Sequence, residues 1–179
     1  MTVGSPNMGF TEIPEGGCQS LNIDAGNMMC KMEHNLLKST LFSDIMQNSL
    51  SFPGYYRPTD NKGEYTEKSS FLAALNNEKR TDKFDQHRDR MKSLNAFMVV
   101  QFDKDQIIFP HESETFGEIV KDGDKQRVVP MKETEIYKED LLGLKTLDEQ
   151  QKLKVVHIDN THTDFSEKDL QETFIPFLK

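Results

Sequence analysis

Two apolar runs dominate the pattern of the chain: Phe97-Met98-Val99-Val100-Gln101-Phe102 and Leu153-Lys154-Val155-Val156-His157-Ile158. Both are short and rich in β-branched and aromatic residues, so they predict strands. The first is apolar at almost every position, as expected of a strand buried on both faces in a parallel sheet. A stub at Met1–Gly4 predicts a third strand. Elsewhere the period lengthens. Leu36, Leu37, Leu41, Ile45, Met46 and Leu50 fall on one face of a helix over Lys31–Leu50, which Phe52-Pro53-Gly54 would end. A loop rich in Pro, Asp, Asn and Gly follows, through Gly63. Further helices are predicted over Phe84–Asn95, over Glu112–Val120 with a stop at Asp122-Gly123, and over Leu141–Gln150. A short strand pair is expected within Val128–Tyr137. Ser166-Glu167-Lys168-Asp169 has a capping-box pattern and opens a last helix that ends near Leu178.

Strands followed by helices in this order predict parallel βα units, hence an α/β fold in one domain over residues 1–179. Met1 falls inside an expected strand with no turn before it, so the N-terminal strands of such a sheet are expected to be missing. Composition narrows the function. The net charge is −8 with no Lys/Arg cluster, which argues against nucleic-acid binding. No apolar run approaches the roughly 18 residues that span a bilayer. Met1-Thr2-Val3-Gly4-Ser5-Pro6 lacks a basic stretch and an apolar core, so no signal peptide is expected in this chain. Cys18 and Cys30 fit neither a CxxC motif nor a metal site; they read equally as two free thiols or as one disulfide closing a loop.

The candidate chemistry lies just past the two apolar runs. Asp105 follows Phe102-Asp103-Lys104, and His162 follows Ile158-Asp159-Asn160-Thr161. Ligands of open α/β sheets meet the carboxyl ends of the strands, so both groups are expected at one edge. An acid and then a histidine, in that chain order, match the later two members of a nucleophile–acid–histidine triad. Asp103 competes with Asp105, and His157 competes with His162, although His157 lies within a strand. His111 follows Pro110 with no such placement. No G-x-S-x-G occurs. Gly4-Ser5-Pro6 lacks the second glycine and an immediate helix, so the serine of a triad is absent from this chain.

Several segments together carry a family resemblance. Val3-Gly4-Ser5, Phe42-Ser43-Asp44-Ile45-Met46-Gln47 with Tyr55-Tyr56, Phe71-Leu72-Ala73-Ala74-Leu75-Asn76-Asn77-Glu78, Leu141-Leu142-Gly143-Leu144-Lys145-Thr146-Leu147-Asp148 and Phe174-Ile175-Pro176-Phe177-Leu178 run in order along the chain. They resemble the C-terminal part of lysosomal-type palmitoyl-protein thioesterases of the α/β-hydrolase superfamily. The resemblance implies hydrolysis of fatty acyl thioesters on protein cysteines, without metal or cofactor. It implies that Asp105 and His162 are the triad acid and histidine, and that Cys18 and Cys30 form a disulfide in a lysosomal or secretory lumen. It also implies an acyl groove built by a loop and helical insertion over about 10–80, including Lys31–Tyr56, with βα units over 81–179. Asn160-Thr161 replaces the family's Gly-Asp before the histidine, Ile108-Phe109-Pro110 keeps only the proline of its V-D-P, and no N-x-[ST] sequon is present. The expected function is that of a thioesterase fragment inactive by itself. The alternatives are a non-catalytic lipid- or protein-binding relative and a general serine esterase or lipase.

Overall fold

The computed structural model describes residues 1–11, 41–49, 51–123 and 125–179. Among them are strands β1 (Thr2–Val3), β2 (Phe97–Phe102), β3 (Glu118–Asp122), β4 (Lys125–Val129) and β5 (Leu153–Ile158). β1, β2 and β5 form one parallel sheet with β2 in the middle, and β3 and β4 form a separate antiparallel pair. Both apolar runs are thus strands with the boundaries the pattern predicts.

The central position of β2 accounts for its composition. Phe97 and Val99 pack on one face with Ile136, Leu144 and Leu147. Met98, Val100 and Phe102 pack on the other with Ile158 and Phe174. Every residue of β2 is buried. β5 has a neighbour on one side only among the described strands, and its Val155 and His157 are exposed. The register pairs Phe97 with Leu153 and Phe102 with Ile158, so the two strands end level. The Asp103 N–H donates to the Ile158 carbonyl at 2.9 Å and the Lys104 N–H to that of Asn160 at 3.1 Å, which binds the two departing loops together.

The helices follow the pattern less closely. Phe84–Lys92 is helical, as is Leu144–Glu149. Ser166 makes the expected capping box with Asp169, and the chain continues through Glu167–Asp169, a π turn Leu170–Phe174 and Ile175–Leu178. The expected helix over Glu112–Val120 is a 3-10 turn at His111–Thr115 only. Phe116 then turns left-handed (φ 64), and Gly117 packs so closely that a Cβ would lie 2.9 Å from the Val129 carbonyl. β3 begins at Glu118 and pairs with β4 around Gly123 (φ 60). The strand pair therefore precedes the expected Val128–Tyr137, whose later part forms the turns Met131–Glu133 and Glu135–Lys138. β4 was hidden because Lys125, Gln126, Arg127 and Val128 all face solvent, leaving no apolar alternation.

Of the expected helix over Lys31–Leu50, Asp44–Ser49 is helical, while Leu36, Leu37 and Leu50 lie outside the described residues. Ile45, expected on its buried face, is exposed, and Gln47 is buried instead. The Gln47 side chain donates to the Leu41 and Pro53 carbonyls at 2.8 and 2.9 Å and accepts from the Ser70 N–H at 2.9 Å. A buried amide that meets three backbone groups is tolerated where an unpaired one would not be. Past the loop, a helix not foreseen from the pattern, Lys62–Lys68, starts at Asn61, whose Oδ1 accepts the Glu64 N–H. Arg57 joins this region to the hairpin: it reaches Glu78 and Glu118 at 2.7 Å each, and the Tyr65 hydroxyl donates to Glu78 at 2.6 Å. Among the described residues no helix is long and apolar enough to cross a membrane.

Candidate active site

Two residues past β2 the chain reverses. The Asp105 N–H returns to the Phe102 carbonyl at 3.0 Å, which turns the Asp105 side chain inward while Asp103 stays on the outside of the strand end. Asp105 Oδ1 then accepts the N–H groups of Ile107 and Ile108 at 2.6 and 3.1 Å, the hydrogen-bonded turn that an aspartate makes with backbone just ahead of it. Its other oxygen, Oδ2, lies 2.5 Å from His162 Nδ1. The Asp105 side chain is 0% exposed and that of His162 24%.

His162 arrives from the neighbouring strand end through a tight turn, in which the Asp164 N–H donates to the Thr161 carbonyl. The left-handed residue of this loop is Thr163 (φ 57); Asn160 and Thr161, which replace the family's Gly-Asp, have ordinary φ. The imidazole rests against Gly4 at the end of β1. A Cβ there would lie a tight 3.3 Å from His162 Cε1 and 3.2 Å from the Phe102 ring, and the left-handed backbone of Gly4 (φ 57) favours glycine. Three strand ends thus set the ring: β1 supplies its floor, β2 its acid, β5 its loop.

Burial pushes the Asp105 carboxyl up. The hydrogen bonds from His162, Glu114 and the two amides outweigh burial and hold it well below the usual carboxylate range. Asp105 is therefore an anion that only accepts, and His162 Nδ1 carries the hydrogen between them. Nε2 is left as the ring nitrogen available for proton transfer.

Asp103 and His157 also pair, at 2.9 Å, but on the outer side of the strand ends, with side chains 38% and 53% exposed. Asp103 also accepts from Gln101 Nε2 at 2.8 Å. His111 lies beside Glu112 at 3.4 Å and does not join the Asp105 group. Cys18 and Cys30 lie outside the described residues, so the structure says nothing of their pairing. Sequence reasoning missed Glu114. It is fully buried beneath Asp105, and its Oε2 accepts the Phe102 N–H at 2.7 Å. Burial, and after it Asp105, pushes its carboxyl up to about 9. Nothing in His111-Glu112-Ser113-Glu114-Thr115, a polar run typical of a solvated turn, marks it out.

Asp105, Glu114 and His162 bring one ligand atom each within 4.8 Å, which is the spacing of a metal site. Both oxygens of Asp105 and Oε2 of Glu114 already accept hydrogen bonds: Oδ2 is paired with the imidazole, Oδ1 with two amides, Oε2 with the Phe102 N–H.

Comparison with known proteins gives the family. The family model described as palmitoyl protein thioesterase matches residues 1–162. The chain belongs to the palmitoyl-protein thioesterase family. Asp105 and His162 both fall within the matched span. Palmitoyl-protein thioesterase 1 of Caenorhabditis elegans is 32% identical over 136 residues, covering 76% of this chain and 45% of the relative. Palmitoyl-protein thioesterase 3 of Dictyostelium discoideum is 34% identical over 128 residues, covering 72% and 44%. A lysosomal thioesterase PPT2 homolog of Drosophila melanogaster is 28% identical over 141 residues, covering 77% and 48%. The chain thus spans less than half the length of these relatives. Its parallel sheet with flanking helices is that of the C-terminal part of an α/β-hydrolase fold, the fold this thioesterase family implies.

Proposed function

We propose that this chain carries the acid and the base of a thioesterase active site that removes long fatty acyl groups from protein cysteines. The observation that supports it most is the buried Asp105 carboxylate held 2.5 Å from His162 Nδ1. In this reading Asp105 fixes the tautomer and stabilises the imidazolium. His162 Nε2 takes the proton of a serine hydroxyl as that oxygen adds to the thioester carbonyl, then gives the proton to the departing cysteine thiolate. Water repeats the cycle to free the acid. The chain has no G-x-S-x-G, so turnover requires that a serine be presented to it.

The acyl chain would occupy a cavity of about 440 Å³ that opens beside Ser5, one residue past the glycine under His162. Leu72, Leu75, Met91, Phe97, Phe116 and Leu142 line it. Residues about 10–80 would then form the acyl-groove insertion and 81–179 the βα units of one domain, since the lining comes from both. The substrates in this reading are S-palmitoylated proteins. A lysosomal or secretory lumen accords with the name of the Drosophila melanogaster relative, and a bridge between Cys18 and Cys30 belongs to the same reading.

The test has two stages. The purified chain alone is expected to hydrolyse palmitoyl thioesters no faster than background, because triad members act as a unit. A chimera joining it to the part of the Caenorhabditis elegans relative outside the match is expected to turn over palmitoyl-cysteine peptides in preference to the matching oxygen esters. Equal rates on both esters would favour a general esterase. A folded chimera that binds palmitate without turnover would favour a lipid-binding protein.

A further inference from the structure

Glu114 is the most deeply buried carboxyl of the site, and the reaction described above does not use it. It is 0% exposed, on the 3-10 turn His111–Thr115 that packs beneath the end of β2. Its two oxygens differ. Oε2 accepts the Phe102 N–H at 2.7 Å, whereas Oε1 is buried and no donor reaches it among the described residues. One of its oxygens lies within 4.8 Å of an Asp105 oxygen and of a His162 ring nitrogen. Two carboxylates this close only accept, and they repel; they can be joined only through a proton on one of them. Asp105 cannot be that one. Its oxygens already accept from two backbone amides and the imidazole, which all favour its charge. Glu114 has a single backbone donor and lies in a dry environment, so the proton belongs to it, on the otherwise unpartnered Oε1.

We infer that Glu114 is a positioning residue: a neutral carboxylic acid whose O–H donates to the Asp105 carboxylate and holds it toward His162. Asp105 is then gripped from three sides, by the Ile107 and Ile108 amides, by His162 and by Glu114. The upward push on the Glu114 carboxyl, to about 9, agrees with this geometry. The charged groups that bear on it are Asp105 from the loop after β2 and Asp103 at the end of β2, the latter paired with His157 of β5. His162 comes from the loop after β5, and His111 and Glu112 share its own turn. The positioning role rests on the reading of Asp105 and His162 as acid and base. The proton assignment does not.

The proton is read by infrared spectroscopy of the full chain at pH 7. A protonated-carboxyl stretch is expected in the wild type, lost in Glu114→Gln and kept in Asp103→Asn. No such band in the wild type, or one that survives Glu114→Gln, overturns the inference. The positioning role is read in the chimera. Glu114→Leu should lower kcat about tenfold with KM unchanged, the loss expected for one charge-assisted hydrogen bond. Glu114→Gln, which keeps a donor for Asp105 and an acceptor for Phe102, should recover most of that loss. If Gln is as impaired as Leu, the role fails. Turnover that survives His162→Ala would defeat the acid–base reading and leave the infrared result standing.

Discussion

Two aspartate–histidine pairs stand at the same sheet edge, and the difference between them carries the functional argument. Asp103–His157 and Asp105–His162 both link the end of β2 to β5 or its loop, both through the histidine's Nδ1. In the outer pair each partner can exchange its hydrogen bond for water, and the distance is 2.9 Å. In the inner pair the aspartate has lost water entirely and has gained two amides, an imidazole and the neighbouring Glu114 in its place. Exposed ion pairs contribute little, whereas a buried charge that loses its partner is costly. An imidazole can be aimed by the inner aspartate in a way that the outer one, free to move in solvent, does not match.

The largest expected contrast is in catalysis. In the chimera, Asp105→Asn should cost on the order of 10³–10⁴ in kcat, because the wrong histidine tautomer is then favoured. Asp103→Asn should stay within about threefold, as for a solvated pair. Comparable losses would erase the distinction between the two pairs. A smaller contrast is expected in the stability of the chain by itself. Asp105→Ala leaves two amides and an imidazole without their acceptor and should cost about 2–3 kcal/mol in urea unfolding. Asp103→Ala should cost less than about 1 kcal/mol.

A third contrast is a slope. Glu114 keeps its proton up to about 9 when folded and loses it near the ordinary carboxylate value when unfolded. The folded chain therefore binds more protons across the neutral range. This stabilising contribution is complete below the unfolded value and is lost as pH rises toward 9. Asp105 acts in the opposite sense: its contribution is present above the unfolded value and is lost as pH falls. Between about pH 5 and 8, Glu114 should make stability fall as pH rises. Unfolding curves of Glu114→Gln should flatten that slope, and those of Asp103→Asn should leave it unchanged.

How much of this was legible in the sequence depends on how each residue is buried. β2 was readable because nearly all its residues are apolar, and β5 because Leu153, Val155, Val156 and Ile158 make a short β-rich run; the in-register ends of those strands brought Asp105 and His162 to one place. The hairpin was misread because β4 turns Lys125–Val128 to solvent and so carries no apolar signal. Ile45 and Gln47 exchanged their expected environments because hydrogen bonds to Leu41, Pro53 and Ser70 satisfy a buried amide, which periodicity does not weigh. Glu114 was invisible for the same reason. Its burial is set by tertiary packing beneath Phe102, and its neighbours in sequence are those of an ordinary surface turn.

The most direct measurement compares the two histidines. Palmitoyl-cysteine hydrolysis by the chimera should fall at least about 10³-fold in His162→Ala, the scale of losing a triad member. It should stay within about threefold in His157→Ala, whose ring faces solvent. If His162→Ala retains turnover, or if both variants lose it equally while remaining folded, the buried Asp105–His162 pair is not the acid–base machinery of this protein.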